Sequence, residues 1–378
     1  MSENSATRFV SAAPFSVDDE DATVIPNPPR FFARLRTRRL AVIAFIFLAT
    51  LYAILPFIEA IAPYDPETRD SEKIFAPPQS VSLFHKGEFI GPFVYAYTST
   101  LNLTTYKREF ATDTSKPERL RFFCQGEPYL MFGLIPAQTK LVCGEAGHTL
   151  FLAGTDRLGR DVLSRILFGA RISLTIGLFG VLISLVLGVF FGVLSGYVGG
   201  WIDNAVQRLI ELLRSLPELP LWMALAAALP VNWSPIWIYV GITIILGLLD
   251  WPGLARAVRA RVLTLREEEF TVAARLMGAS PWRIMLKHMV PNFSSHLIAS
   301  ATLAIPSMIL GETALSFLGL GLRAPVTSWG VMLNEAQNLA VIEVYPWLLA
   351  PLVPVILVIL AFNVLGDGLR DAADPYSR

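Results

Sequence analysis

Six long apolar stretches constrain this chain more strongly than any other feature of its sequence. A helix needs about 20 apolar residues to cross the hydrocarbon core of a bilayer. Hydrophobic residues make up 53% of the 378 residues and charged residues only 16%, whereas soluble domains carry about 25% charged residues. The sequence therefore predicts an all-α polytopic membrane protein with six transmembrane helices, at residues 40–62, 172–198, 207–229, 236–255, 293–315 and 345–366.

Basic residues beside these stretches predict how the chain is oriented in the membrane. Five arginines lie at positions 30–39, just before or at the edge of the first stretch. The connection between the fourth and fifth stretches contains seven basic residues: Arg256, Arg259, Arg261, Arg266, Arg275, Arg283 and Lys287. Cytoplasmic loops are enriched in Lys and Arg. Both termini of this multi-pass protein are therefore predicted to be cytoplasmic.

The expected organisation follows from these spans. It has a cytoplasmic tail at 1–39, a first transmembrane helix at 40–62, a periplasmic insert with an interfacial helix at 63–171, a five-helix core at 172–368 containing a cytoplasmic loop at 256–292, and a cytoplasmic tail at 369–378. Prolines and short β-like pieces indicate a small folded insert. Its cysteines, Cys124 and Cys143, lie in a compartment that permits disulfides. The sequence is compatible both with a bridge and with two unpaired thiols.

The segment GTDRLGRDVLSRILFGARISL at 154–174 has two different helical faces. Apolar side chains from Val162 to Ala170 share one face, while Arg160, Asp161, Ser164 and Arg165 share the other. This pattern is typical of an amphipathic helix at the membrane surface. We expect that helix to anchor the end of the insert and to lead into the second span.

Motifs for enzymatic chemistry are missing from the sequence. It contains no GxxxxGK[ST], HExxH or GxSxG pattern. Its two cysteines and four histidines are scattered, and its formal net charge is zero. We therefore predict no catalytic residue, no metal site and no cofactor, and no nucleic-acid partner. If the chain takes part in energised work, something else has to supply the energy.

Polar side chains inside or beside the spans are candidates for a pathway. Arg208, Glu211, Arg214 and Glu218 form one stripe of alternating charge, which fits either a gate or a solvated cytoplasmic extension. Glu312 lies nineteen residues beyond Phe293, about 28 Å along a helix, so it is expected at the outer mouth with Ser307, Thr313 and Ser316. Asp250 is expected in the inner third of its span. Neither acid is central, which argues against an ion-coupled carrier.

The segment FTVAARLMGASPWRIMLKHMVPN at 270–292 interrupts the apolar pattern. Residues 267–277 favour a helix that Gly278 can end in a left-handed conformation. Ser280 is a suitable N-cap and Pro281 a suitable first residue for a second short helix, and we expect Pro291 to stop it. The helix–turn–helix is suited to docking on a cytoplasmic partner. A helical linker lying on the membrane surface is the alternative.

These residues resemble a known family, the permease subunits of bacterial ABC importers in the dipeptide/oligopeptide/nickel group. The resemblance rests on GTDRLGRDVLSRILFGARISL, SGYVGGWID, AARLMGASPWRIMLKHMVPN, ETALSFLGLG and NVLGDGLRDAADP, which occur in that order. It implies the type I importer permease fold and a coupling loop that docks on a separate ATPase subunit. The positions implied for that loop are Ala273, Ala274, Gly278, Ser280, Pro281, Ile284, His288 and Pro291. Val272 stands where the family often has an acid.

The resemblance also implies a location in the bacterial inner (cell) membrane, the partners and the solute class. The chain would form half of a pathway with a sister permease subunit, next to two ATPase subunits, a periplasmic solute-binding protein and membrane lipid. Oligopeptides are the expected solutes, while oligosaccharides such as α-galactosides, and opines, stay open. An ion-coupled secondary carrier and a membrane-anchored scaffold or sensor are the alternatives from other classes. The carrier would need internal pseudo-repeats, and the scaffold would not need the 270–292 segment.

Overall fold

The structure, a computed structural model, describes residues 35–101, 103, 108–131, 133–144, 150–230 and 232–373. Most of the predicted N-terminal tail lies outside this range. The helices are α1 (Arg39–Ile61), α2 (Val162–Val198), α3 (Gly200–Ser215), α4 (Glu218–Ala227), α5 (Pro235–Leu265), α6 (Glu269–Leu276), α7 (Pro281–Phe317), α8 (Trp329–Glu335), α9 (Leu339–Val344) and α10 (Pro346–Ala373). The predicted all-α membrane bundle is confirmed, and residues 369–373, expected in the tail, continue α10.

Five of these helices, α1, α2, α5, α7 and α10, are long and apolar enough to cross a membrane. The most extensive helix–helix packing joins α2 to α5. Glycines 188, 192 and 196 sit so near α5 that an added Cβ would lie 2.6–2.9 Å from Leu254, from the Ala255 carbonyl or from the Arg259 carbonyl. Small residues at a helix interface let backbones approach in this way when no hydrophobic effect drives association in lipid. The α2–α5 pair therefore forms a closely packed part of the bundle.

The predicted third span at 207–229 is not one helix, which corrects the sequence interpretation. The helix breaks after α3, where Leu216 and Pro217 are extended, and restarts as α4. Proline disfavours helical geometry in the residue before it, which explains the break at Leu216. Asp203 of α3 pairs with Arg259, and Leu229 after α4 lies against Gly241. The broken pair therefore runs antiparallel to α5 and returns the chain across the bundle.

The two ends of the bundle differ in what they carry. One end, here the insert end, carries the strands β1 (Ser82–His85), β2 (Glu88–Leu101), β3 (Arg108–Arg119), β4 (Arg121–Met131) and β5 (Ile135–Cys143). The other, here the loop end, carries α6 and the start of α7. The first and last described helices meet at the loop end, where Arg38 pairs with Asp371 at 3.3 Å. Both described ends of the chain thus lie on one side of the bundle.

The insert consists of two antiparallel sheets, ordered β1-β2-β3 and β4-β5. A disulfide joins Cys124 to Cys143 at the base of the β4–β5 hairpin. From β5, the Lys140 ammonium donates to the carbonyls of Glu59 and Ala62 at 2.8 and 3.0 Å. These carbonyls have no partner within their own helix at its C-terminal end, where cations are favoured. Burial lowers the pKa of Lys140, and its contacts fasten the hairpin to α1.

The interfacial helix predicted for 154–174 is absent, because α2 runs without a break from Val162 to Val198. Its polar face does not meet water. Arg160 and Arg165 are buried, and both pair with Asp156 and with Glu335 of α8 at 2.6–2.9 Å. We name these four residues the ion cluster. Opposite charges neutralise the arginines inside the protein, so this end of α2 packs inward instead of lying on the membrane.

Candidate functional site

The loop end carries the helix–turn–helix that the sequence predicts for 270–292. α6 ends before Gly278, which has a φ of +79°. The Ser280 hydroxyl accepts from the Arg283 backbone N–H, and Pro281 begins α7. These local features confirm the predicted left-handed glycine and the predicted cap. The chain therefore reverses direction tightly and exposes the turn.

Buried apolar side chains hold this segment against the bundle. Ala274 and Ile284, both predicted coupling positions, are 3% and 1% exposed. They pack with α2 and α5 in a cluster formed by Val193, Val258, Val262, Ala274, Ile284, Met285, Met289, Phe293 and Leu297. The Thr271 hydroxyl also donates to the Leu265 carbonyl at 2.7 Å. The segment is thus joined to two membrane-spanning helices through close-packed side chains.

The outward side of the segment carries uncovered apolar side chains among exposed basic ones. Leu276 and Met277 are 83% and 81% exposed, and Trp282 and Leu286 are more than half exposed. Ala273, Gly278, Ser280 and Pro281 are exposed beside them. We name these eight residues the loop-end surface. Apolar groups concentrated on one surface mark an interaction site, and they stand here on a segment that is itself firmly packed.

The second half of the segment differs from the prediction. Pro291 does not stop a helix, because α7 continues from Pro281 to Phe317. A π-helical turn at Ile284–Met289 and a 3₁₀ turn at Val290–Phe293 precede the regular helix. Such turns shift the hydrogen-bond pattern and thereby accommodate a proline, which lacks an N–H. His288 is half-buried and Pro291 is exposed on this continuous helix.

The predicted pathway residues fall in three separate places. Arg214, Glu218 and Ser307 line a cleft of about 400 Å³ between α2, the α3–α4 break, α5 and α7, together with Asp250. Arg208 and Glu211 pair with each other at 2.8 Å on the exposed side of α3. The predicted stripe is therefore divided. Its α3–α4 end reaches a cleft, while its start is a solvated or partner-facing surface.

Glu312, Thr313 and Ser316 are buried, so they do not line an open outer mouth as predicted. The Glu312 carboxylate accepts from the hydroxyls of Ser173, Ser316 and Ser328 at 2.7–3.0 Å. The segment 318–336 folds back over these residues from the insert end. Glu312 thus joins α7 to α2 and to the start of α8, a contact that sequence spacing alone could not indicate.

The ion cluster is a further polar site that the sequence interpretation missed. Burial alone would raise the pKa of Glu335, but the guanidinium groups of Arg165 and Arg160 hold this pKa below its usual range. Asp161 begins α2 by accepting from the Ser164 backbone N–H at 2.8 Å. Burial raises the pKa of Asp161 to about 6. The only sequence signal was the alternation of Arg and Asp at 156–165; the partner, Glu335, lies 170 residues further along.

Comparisons with known proteins cover both ends of the chain. Residues 188–378 match the family "Binding-protein-dependent transport system inner membrane component". Residues 30–78 match the N-terminal TM domain of oligopeptide transport permease C. The strands of the insert, residues 82–143, fall outside both matches. The shared part is therefore the helical bundle, including α3 to α10 and the loop-end surface.

Three curated relatives show the same similarity over most of their length. The dipeptide transport system permease protein DppC of Alkalihalophilus pseudofirmus is 40% identical over 59% of this chain and 71% of its own. The oligopeptide transport system permease protein OppC of Haemophilus influenzae is 42% identical over 60% and 70%. The glutathione transport system permease protein GsiD of Pectobacterium atrosepticum is 40% identical over 59% and 71%.

These matches, together with the membrane-spanning bundle, confirm the resemblance inferred from the five sequence motifs. The chain belongs to the family of binding-protein-dependent transport system inner membrane components and is a multi-pass membrane protein.

Proposed function

We propose that this chain is the transmembrane permease subunit of an ATP-driven, binding-protein-dependent importer of oligopeptides. In this proposal it forms half of a translocation pathway with a sister permease subunit, and two separate ATPase subunits hydrolyse ATP. The loop-end surface is the observation that carries the proposal. An exposed apolar turn held by a buried cluster on α2 and α5 is suited to receive force from a partner and to pass it to the membrane-spanning helices.

The roles of the coupling residues follow from their burial. Gly278 sets the turn, and Ser280 and Pro281 start α7 from it. Ala273 contacts the ATPase directly, while Ala274 and Ile284 transmit its motion to the bundle. His288 and Pro291 lie where the irregular turns of α7 let the helix shift. An acid is missing before Ala273 because position 272 is valine, so we assign no salt bridge to the ATPase there.

The pathway is the second part of the proposal. Arg214 and Ser307 line it directly at the cleft. Arg208 and Glu211 face the sister subunit or the cytoplasm at its inner end. Glu312 acts from within the wall, by holding α7 to α2 where the pathway meets the insert end. Ser316 donates to the Glu312 carboxylate, and Thr313 is buried beside it.

The orientation is inferred from charge. The loop end carries the basic residues of the 256–292 segment, and Arg38 and Asp371 meet at the same end. Positive charge is retained on the cytoplasmic side, which supports cytoplasmic termini and a periplasmic insert. A binding protein would then deliver the solute at the insert end. Cytoplasmic termini together with a periplasmic insert agree with an inner-membrane location.

The printed names of the relatives support peptides as the solute: a dipeptide, an oligopeptide and a glutathione system. Nothing in the described residues favours oligosaccharides or opines, and no described group of acids and histidines could hold a metal ion. A secondary carrier is disfavoured because it would leave the loop-end surface without a partner.

Affinity purification of the tagged chain from its native membranes tests the proposal. We expect an ATPase, a second permease and a solute-binding protein to co-purify. The complex, rebuilt in proteoliposomes, should import Ala-Ala-Ala only with ATP and the binding protein. Uptake driven by an ion gradient without ATP, from a preparation lacking any ATPase, would contradict it.

A further inference from the structure

The cleft contains a carboxylate in an unusual setting. Asp250 lies fifteen residues after the first residue of α5, or about 22 Å along the helix, and therefore inside a membrane-spanning segment. Its carboxylate accepts from the Ser184 hydroxyl at 3.1 Å. Ionisable groups inside spans are costly, and they mark solute or ion pathways more often than packing contacts.

The charge around Asp250 is incompletely balanced. No Lys or Arg among the described residues forms an ion pair with it within 4.0 Å. Arg214 and Glu218 both line the cleft, and the Arg214 guanidinium reaches α5 beside Gly253. With two acids and one arginine, the lining carries a net negative charge. The hydroxyls of Ser184 and Ser307 face the same space.

The break in the third span places two helix ends at the cleft. α3 ends at Ser215 and α4 begins at Glu218, so the C-terminal end of α3 meets the cleft. The last carbonyls of a helix carry about half a negative charge. In transporters, helices that are interrupted within the membrane use such ends to coordinate cations. The N-terminal end of α4, which begins at Glu218 in the same cleft, carries a positive partial charge that offsets this contribution. The preference for a cation therefore rests on the side chains.

We propose that this cleft receives a primary ammonium group of the solute, with Asp250 as its main charge partner and Glu218 as the second. The cleft is large enough for a short peptide segment, since ligand pockets span about 300–1,000 Å³. An incoming ammonium would supply the cation that Asp250 lacks and donate to the nearby hydroxyls. The inference deepens the proposed peptide import and rests on it for the natural solute. The alternative is that Asp250 only joins α5 to α2 through Ser184.

An engineered thiol at Ser307 provides a test that does not need transport. Both native cysteines are in the disulfide, so Ser307→Cys adds the single free thiol. Its alkylation by N-ethylmaleimide is timed in membranes holding the full chain, with Ala-Ala-Ala, N-acetyl-Ala-Ala-Ala or N-acetyl-Ala-Lys-Ala as probe. We expect slower alkylation with the two probes that carry an ammonium. If only Ala-Ala-Ala protects, the group recognised is the peptide amino terminus.

Substitutions at Asp250 then identify the charge partner. In the Ser307→Cys background, Asp250→Asn should raise the concentration of Ala-Ala-Ala needed for half-protection by about tenfold or more, the effect of losing a charge partner. Asp250→Glu should restore most of the protection. Glu343→Gln, which neutralises an exposed acid on α9, should change nothing.

Three results would overturn the inference: equal protection by N-acetyl-Ala-Ala-Ala, protection unchanged by Asp250→Asn, or no alkylation of the cleft thiol at all. A failure of the proposed function would look different. The wild-type complex would then show no ATP-dependent uptake, whereas ammonium-selective protection would persist.

Discussion

Asp161 is the residue whose titration is most clearly set by burial outside the spans. It is 3% exposed, and it caps α2 through the Ser164 backbone N–H. Burial raises its pKa to about 6, above the value of about 3.9 for an exposed aspartate. Between these two values the folded state binds a proton that the unfolded state does not. The free energy of unfolding therefore falls as pH rises through this window.

Asp161→Asn tests this assignment, since asparagine also caps helices well. Between about pH 5 and about pH 7.5, we expect the wild type to lose about 1 kcal/mol of unfolding free energy relative to the variant. Unfolding in detergent micelles, followed by circular dichroism at both pH values, measures the difference. Parallel pH profiles for the two proteins would show that Asp161 is ionised throughout.

Ionisation of Asp161 destabilises the folded state, whereas the charge of Glu335 stabilises it, because it neutralises two buried arginines. Glu335→Gln would leave Arg160 and Arg165, which are 1% and 2% exposed, sharing the single carboxylate of Asp156 apart from the more distant Glu67. Breaking a buried ion pair in this way costs about 3–5 kcal/mol. Thermal unfolding should reveal the loss, while Glu343→Gln on the exposed side of α9 should stay within about 0.5 kcal/mol. Equal melting curves would mean that water already compensates the arginines.

At the scale of elements, local signals were readable from the sequence and long-range ones were not. The Ser280–Pro281 cap and the left-handed Gly278 depend on neighbours within a few residues, so their pattern predicts them. Whether residues 154–174 lie on the membrane surface or pack inward depends on Glu335, whose position in space no local pattern reveals. The prediction that Pro291 ends the helix is wrong because Pro291 lies in a 3₁₀ turn, preceded by a π-helical turn, where its missing N–H is accommodated. Pro217 indicates a break at Leu216–Pro217, but the apolar stretch that contains it favours a single span.

The β4–β5 hairpin carries a prediction at this scale. A two-stranded hairpin is marginally stable alone, and this one shows large apolar side chains to solvent, among them Phe123 and Leu134. Its disulfide and the hydrogen bonds from Lys140 to α1 compensate for this low stability. The chain-entropy relation gives about 3 kcal/mol for a loop of this size. Alkylation before reduction, followed by intact-mass analysis, should add no label to the folded wild type. Two labels per chain would show that the thiols are unpaired.

At the scale of the whole molecule, the arrangement links one surface to one pathway. The loop-end surface rests on α2 and α5 through Ala274 and Ile284, and the same two helices form walls of the cleft that holds Asp250. Movement of the surface would therefore reach the cleft without crossing a flexible loop. The insert lies at the far end, fastened to α1 through Lys140, where it can meet a partner without disturbing this connection.

The most direct measurement is the amount of ATPase subunit that co-purifies with tagged Gly278 variants. A φ of +79° strains any β-branched residue, at a cost of about 1–2 kcal/mol, although nothing crowds this position. Gly278→Val should tilt the turn and lose both ATPase attachment and substrate-stimulated hydrolysis. Gly278→Asn tolerates the conformation and should retain them, as should Gly87→Val, which places the same strain, φ +90°, in the β1–β2 turn. Full ATPase binding and hydrolysis with Gly278→Val would contradict the coupling role of the loop-end surface.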